Sequence, residues 1–118
     1  MAQLNDQHPL ADAFFAYDEA VLSDEVRQGL STDAAWLRKW PQVTIRIEGH
    51  ADERGTAEYN LALGQRRASA VQHYLADLGI DIRRMTITSL GEEAPFCMTS
   101  AESCWSQNRR GHFIVTAK

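Results

Sequence analysis

The middle of the chain contains two strand-like segments separated by a polar loop and a long helical pattern. In VTIRIE, residues 43–48, apolar and polar residues alternate as in a strand that buries one face. The polar loop GHADERG follows at 49–55. Thr56 can cap a helix after this loop and Gly79 can end it, and residues 85–89 then alternate again. The apolar positions of the helix lie on one side and comprise Leu61, Ala68, Val71, Leu75 and Leu78.

The flanking segments complete the predicted order of elements. Residues 10–17, LADAFFAY, are short and apolar, which predicts a first strand or an extended segment. Ser23 can cap a helix that Pro41 ends, and HFIVTA at 112–117 predicts a last strand. We therefore predict an α+β fold, a two-layer β-α-β-α-β-β sandwich in which both helices cover one face of a small mixed sheet.

Size and composition exclude several classes of function. A chain of 118 residues, 44% of them hydrophobic, can form one domain with its own core, which we place at 11–118 after a tail at 1–10. The net charge of -4 is spread along the sequence, so we expect no nucleic-acid partner and no binding to an anionic membrane surface. No apolar run is long enough to span a bilayer, and the tail lacks the pattern of a signal peptide.

The two cysteines, Cys97 and Cys104, lie in a long connection before the last strand. Their spacing matches neither a redox C-x-x-C motif nor a zinc site, which would need two further ligands. A local disulfide would stabilise a connection that has little else to hold it, and it would persist in an oxidising compartment such as a periplasm. The alternative is a pair of free thiols in a reducing compartment.

Two adjacent arginines of the second helix differ in their predicted surroundings. With the apolar side centred near Leu75, Arg66 lies about 190° away and faces water, whereas Arg67 lies about 70° away. Arg67 is therefore expected at the boundary between the helix and its neighbours, where the polar loop returns and where a charge needs a partner. One possible partner is a structural salt bridge to Asp52 or Glu48.

The other possible partner is a ligand. Asp52 leaves the strand beside glycines, and its carboxylate can either cap the loop or accept an ammonium group. A fixed carboxylate and a fixed guanidinium at one end of a helix match the ammonium and carboxylate of an amino-acid zwitterion. Asp52 and Arg67 together therefore predict a site for a zwitterionic end group.

The segment that carries both charges also resembles a known family. GHADERGTAEYNLALGQRRASAV at 49–71 resembles the signature of the OmpA-like peptidoglycan-binding domain, and DERGT with LALGQRRA is similar to its peptidoglycan-associated lipoprotein branch. The resemblance covers nearly the whole chain. It extends to AFFAYDEAVLS at 13–23, AAWLRKWP at 34–41, SLGEEAP at 89–95 and NRRGHFIV at 108–115.

This resemblance implies the same β-α-β-α-β-β fold and a non-catalytic site, without metal or cofactor, for the peptide stem of peptidoglycan. Such a site holds meso-diaminopimelate, whose side chain ends in a zwitterion. By position in the motifs, Asp52 would hold the ammonium and Arg67 the carboxylate. Tyr17 and Asp18 would line the pocket, and Leu63 would form an apolar wall. The supporting residues would be Asn60, Arg109, Gly49 and His50.

The partners that the resemblance implies belong to the envelope of a Gram-negative bacterium. They are the peptidoglycan stem peptide, a TolB-like periplasmic protein of the Tol-Pal system, and the outer membrane through an N-terminal lipid absent from this chain. The parent could instead be an OmpA-type porin or a flagellar stator protein that carries the same domain. The cysteine loop departs from the family pattern, and this departure does not change the predicted pocket residues.

Two other classes of function would use the same residues. A metal-dependent cell-wall hydrolase would take His50, Asp52 and Glu53 as ligands or as an acid-base set, but these are nearly consecutive on one loop and no second cluster accompanies them. A protein-interaction module would use aromatic anchors, although tryptophans are more often part of the core. The available tryptophans are Trp36, Trp40 and Trp105.

Overall fold

A computed structural model describes residues 10–52, 54–92, 97–98 and 101–117. The strands are β1 (Ala13–Phe14), β2 (Thr44–His50), β3 (Met85–Gly91) and β4 (Arg110–Ala117). The helices are α1 (Asp24–Lys39), α2 (Ala57–Asp77) and α3 (Glu102–Asn108), with a short 3-10 helix at Ile82–Arg84. Within these ranges no helix is both long and apolar enough to cross a membrane.

The two long helices begin and end where their capping residues predict. The side chain of Ser23 accepts the N–H of Val26 at the start of α1, and that of Thr56 accepts the N–H of Tyr59 at the start of α2. Gly79, with φ 97°, adopts the left-handed conformation just after α2. The predicted bounds of both helices are confirmed to within one or two residues.

The four strands form one mixed sheet in the order β1-β4-β2-β3. β2 and β3 are parallel and connected by α2, whereas β4 is antiparallel to both β1 and β2. Ile45 and Ile47 face the helices and are buried, while Arg46 and Glu48 lie half-buried on the opposite face. α1 and α2 contribute to the core on one side of the sheet, which confirms the predicted two-layer fold.

Three local features differ from the sequence prediction. The connection before β4 contains α3, and Cys104 on this helix forms a disulfide with Cys97, with a Cα–Cα distance of 5.3 Å. The disulfide is thus confirmed, but the helix was not predicted. Leu61 is 36% exposed and does not belong to the buried side of α2. Leu10, assigned to the tail, is buried in the core.

β2 and α2 approach each other backbone to backbone at Gly49 and Gly64. A Cβ on Gly49 would lie 1.7 Å from the carbonyl oxygen of Gly64, far inside van der Waals contact. A Cβ on Gly64 would lie 2.7 Å from the carbonyl oxygen of Gly49. This close approach places the first half of α2 against the end of β2, where the charged residues of the candidate site lie.

Asp33 of α1 is a buried acid that supports the chain before β1. Its carboxylate accepts the backbone N–H of Ala11 at 3.0 Å, and its Oδ2 has no hydrogen-bond partner among the described residues. Burial raises the pKa of Asp33 to about 7; the bond from Ala11 opposes the shift, and repulsion from Asp12 adds to it. The ionised form of Asp33 therefore destabilises the folded state.

We expect Asp33→Asn to remove a pH dependence of stability. The pKa of Asp33 is higher when folded than when unfolded, so its contribution is complete below about pH 4 and is lost as pH rises to about 7. The wild-type protein should lose about 2 to 4 kcal/mol over this interval relative to Asp33→Asn. Urea unfolding at pH 4, 6 and 8 measures the difference. The exposed Asp77→Asn is the control, and superimposable profiles for wild type and Asp33→Asn would contradict the prediction.

Candidate functional site

The predicted contact residues lie around one cavity at the end of β2. The cavity measures about 40 Å³ and opens between the turn after β1, the loop after β2 and the first half of α2. Its walls include all five predicted contact residues and one predicted supporting residue: Tyr17, Asp18, Asp52, Leu63, Arg67 and Asn60. The structure therefore brings together residues that are far apart in the sequence.

Arg67 is fully buried, with 0% exposure, and is held by backbone carbonyl groups. Its Nε donates to Glu19 at 2.9 Å, its Nη1 to His50 at 2.9 Å and its Nη2 to Ala16 at 3.1 Å. Burial lowers the pKa of Arg67 to about 10, so the side chain remains protonated at neutral pH. The predicted helix phase is confirmed because the adjacent Arg66 is exposed.

Asp52 is 4% exposed and is paired with two other arginines rather than with Arg67. Its Oδ2 accepts Nη2 of Arg54 at 2.7 Å and Nη1 of Arg109 at 3.5 Å. Burial would raise the pKa of Asp52, but the hydrogen bonds from Arg54 and Arg109 outweigh burial and lower it. The alternative of a structural salt bridge from Arg67 to Asp52 is therefore wrong, and Glu48 pairs with Arg46 instead.

Arg54 closes the outer side of the cavity. Its guanidinium lies 3.9 Å from the ring centroid of Tyr17 and 4.1 Å from that of Trp105, a distance at which a cation is attracted by an aromatic face. Its Nη2 lies 3.7 Å from a carboxylate oxygen of Glu102 on α3. Hydrogen bonding to Asp52 raises the pKa of Arg54. Two rings and two carboxylates thus hold this cation at the mouth of the site.

The opposite wall contains Asp18, Tyr59 and Asn60. Asp18 has φ 58°, a left-handed conformation that aspartate tolerates better than most residues, and its carboxylate accepts the hydroxyl of Tyr59. The side-chain amide of Asn60 donates to the carbonyl of Arg54 at 3.0 Å and to Glu92 at 3.1 Å. Asn60 therefore fixes the loop that carries Asp52 and Arg54.

The other predicted supporting residues do not line the cavity. Arg109 is buried behind Asp52, where it also donates to Glu102 at 2.7 Å and to the carbonyl of Phe15 at 2.9 Å. His50 contributes its backbone carbonyl to Arg67. Gly49 is a packing position against α2, as described above, and its role is steric.

Sequence reasoning missed four residues of the cavity wall: Ala51, Arg54, Gly55 and Tyr59. The Asp-x-Arg spacing was a signal for the pair of Asp52 with Arg54. Asp81 and Arg83 have the same spacing and form the same kind of ion pair, with an Nη2–Oδ2 distance of 2.7 Å. The residues that line the cavity lie outside the segment from Cys97 to Cys104, but this segment leads into α3, which contacts Arg54. Cys104 lies on α3, which also carries the Glu102 and Trp105 that contact Arg54.

The hydrolase alternative would use His50, Asp52 and Glu53. His50 Nε2 lies 3.4 Å from Glu48 on the same strand, and burial lowers the pKa of His50. In the part of the chain that the structure describes, no group of three or more His, Cys, Asp or Glu residues is arranged to hold a metal ion. Glu53, the third residue of that alternative, lies outside the described residues.

Comparison with known proteins assigns the family. Residues 14–109 match the model of the OmpA family. The chain belongs to the OmpA family. Over 102 residues it is 53% identical to the peptidoglycan-associated lipoprotein of Brucella melitensis, covering 86% of this chain and 61% of that protein. The chain thus spans about three fifths of the length of this curated relative of the OmpA family.

Solved structures show the same OmpA-family fold. The peptidoglycan-associated lipoprotein from Burkholderia pseudomallei superposes with a TM-score of 0.88 at 40% identity, covering 96% of this chain and 98% of that chain. The C-terminal domain of Helicobacter pylori MotB superposes with a TM-score of 0.85, covering 92% of this chain and 85% of that chain. Its identity is 17%, so it shows the shared fold alone.

Proposed function

We propose that this OmpA-family domain binds the peptide stem of peptidoglycan through meso-diaminopimelate, without catalysis. Asp52 takes the ammonium of the side-chain end group and Arg67 takes its carboxylate, while Tyr17, Asp18 and Leu63 form the walls. One observation carries the proposal. In the described chain, two almost fully buried groups of opposite charge line one cavity and are not paired with each other.

The hydrogen bonding of Arg67 supports its role as the carboxylate binder. A guanidinium has five N–H groups, and three of those of Arg67 donate to carbonyls of described residues. Two N–H groups therefore remain for a ligand. Because the backbone holds the guanidinium in place, little conformational entropy is lost when it binds a carboxylate.

The charge balance around the cavity favours a zwitterion over an ion of one sign. The charged residues that line the cavity are Asp18, Asp52, Arg54 and Arg67. They sum to zero, so a ligand of one sign would leave a buried charge without compensation, which is costly. The end group of diaminopimelate brings both signs and keeps the site neutral.

The wider role that we propose rests on the named relatives. It is that of a peptidoglycan-associated lipoprotein at the periplasmic face of a Gram-negative outer membrane, linking that membrane to the wall in cell division. A TolB-like periplasmic protein is the proposed partner in the Tol-Pal system, and a lipid on the full-length protein is the proposed membrane anchor. The Cys97–Cys104 disulfide agrees with this compartment, because a periplasm is oxidising. Co-purification of the full-length protein with a TolB-like protein tests the partner.

Replacing Asp52 with alanine is the direct test of the binding site. The ligand ammonium loses its carboxylate, and Arg54 and Arg109 lose their shared partner, so we expect binding to weaken by at least about 2 kcal/mol, roughly thirty-fold. Pull-down on purified wall sacculi, with free meso-diaminopimelate as competitor, measures the loss.

Asp81→Ala is the matched control for Asp52→Ala. It breaks the same Asp-x-Arg pair beyond the other end of α2, so binding should remain at the wild-type level. Wild-type retention of Asp52→Ala on sacculi, or retention that free meso-diaminopimelate does not reduce, would refute the proposed function.

A further inference from the structure

In this structure, Arg54 occupies the carboxylate of Asp52 that the ligand ammonium needs. The Asp52 carboxylate accepts from Arg54 at both oxygens: Oδ1 from the backbone N–H at 3.0 Å and from Nε at 3.2 Å, and Oδ2 from Nη2 at 2.7 Å. With Arg109 behind it, Asp52 has cations on two sides. An incoming ammonium therefore competes with a bidentate guanidinium of the same chain.

The size of the cavity also indicates that Arg54 must move before a ligand can reach Asp52. The cavity of about 40 Å³ holds on the order of three water molecules, less than a diaminopimelate side chain occupies. Asp52 and Arg67 are both nearly inaccessible to solvent, whereas Arg54 lies at the mouth and is 29% exposed. Of the charged residues that contact Asp52, Arg54 is the one that can move outward without crossing the core.

We propose that Arg54 is a gate and a specificity-determining residue of the site, which leaves Asp52 only in exchange for a ligand cation. This inference rests on the proposed function and deepens it. The exchange replaces one positive partner of Asp52 by another, so the buried carboxylate is never left unpaired. A stem peptide without a free ammonium at this position cannot complete the exchange.

α3 provides the place to which Arg54 moves. Glu102 is 64% exposed and lies 3.7 Å from Nη2 of Arg54, so its carboxylate can accept the released guanidinium. The rings of Tyr17 and Trp105 lie 3.9 Å and 4.1 Å from the guanidinium and stay within reach of it as it moves from one carboxylate to the other. The open position thus retains one carboxylate and both rings as partners of Arg54.

The test is the affinity of Arg54 variants for a soluble muropeptide that ends in meso-diaminopimelate. Without the Arg54 guanidinium, a larger fraction of the protein has Asp52 available for the ligand ammonium. Arg54→Ala should therefore bind about three- to ten-fold more tightly than wild type. Arg54→Lys keeps the charge but loses the bidentate bond, and its affinity should fall between the two. Isothermal titration calorimetry measures all three, and Arg83→Ala, which breaks the matching pair with Asp81, should equal wild type.

If the role of Arg54 were merely structural, Arg54→Ala would bind the muropeptide more weakly than wild type, because the loop would be distorted. If wild type binds and Arg54→Ala binds equally or more weakly, the gate is wrong while the proposed function stands. If no variant binds the muropeptide, the proposed function fails and the gate fails with it. Thermal unfolding of each variant confirms that the compared proteins are folded.

Nuclear magnetic resonance gives a second readout that uses the wild-type protein. We expect ring currents of Tyr17 and Trp105, whose centroids lie about 4 Å from the guanidinium, to shift the Nε–Hε resonance of Arg54. Saturation with the muropeptide should move this resonance as the guanidinium leaves Asp52, while the resonance of Arg83 stays in place. An unchanged Arg54 signal at saturation would overturn the gate.

Discussion

Replacing Arg67 with alanine is expected to abolish muropeptide binding and to lower the free energy of unfolding by about 3 to 5 kcal/mol. Arg67 is fully buried and donates to the carbonyls of Ala16, Glu19 and His50, which connect the turn after β1 with the end of β2. Alanine leaves three acceptors without donors and removes the proposed carboxylate binder. Urea unfolding measures the loss of stability, and calorimetry at a temperature where the variant is folded measures the loss of binding.

The adjacent residue is the matched control for this prediction. Arg66 is exposed on the same helix, so Arg66→Ala should change stability by no more than about 0.5 kcal/mol and leave binding unchanged. Arg67→Lys separates charge from geometry, because lysine keeps the charge but cannot donate to three carbonyls at once. Wild-type stability of Arg67→Ala would show that the three carbonyl bonds are of no consequence.

Gly49→Ala is expected to destabilise the fold by at least about 3 kcal/mol. The added Cβ would lie 1.7 Å from the carbonyl oxygen and 2.5 Å from the carbonyl carbon of Gly64. Both contacts are with backbone, so no side chain can turn away and α2 must separate from β2. Thermal and urea unfolding measure the loss.

Gly29→Ala is the corresponding control at a glycine that is not crowded. Gly29 lies inside α1, and a Cβ there would meet no heavy atom within 4 Å. Alanine favours the helix over glycine, so stability should rise by about 0.5 to 1 kcal/mol. If both variants were equally stable, the close approach of β2 and α2 would not limit the fold.

The parts of the fold that could be predicted are those with a periodic pattern and a capping residue. β2 alternates strictly, and α1 and α2 each begin at a hydroxyl side chain that caps the first turn. α3 could not be predicted, because its seven residues show no apolar period and its N-cap, Ala101, makes no side-chain cap. Its position depends on the disulfide, on the adjacent Arg109 and on contacts with Arg54, which is far away in the sequence.

In the site, too, local sequence patterns could be predicted and tertiary contacts could not. The location of Arg67 follows from helix phase, a local property, and Asp52 follows from its place at the end of a strand. The partners of these charges depend on tertiary contacts: Arg67 binds carbonyls of the turn after β1, and Asp52 pairs with Arg109, which lies between α3 and β4. For Arg54, the Asp-x-Arg spacing indicates the pair with Asp52, but the contact with the ring of Trp105 comes from another element and could not be predicted.

The disulfide joins the binding site to thiol chemistry. Cys104 lies in the same short helix as Glu102 and Trp105. Its disulfide with Cys97 therefore helps to hold the two side chains of α3 that contact Arg54. Reductants that open this disulfide would destabilise the contacts of α3 with Arg54, the proposed gate. They would leave Asp52 in the loop after β2 and Arg67 on α2. The proposed binding to the wall would then depend on the oxidising capacity of the surroundings.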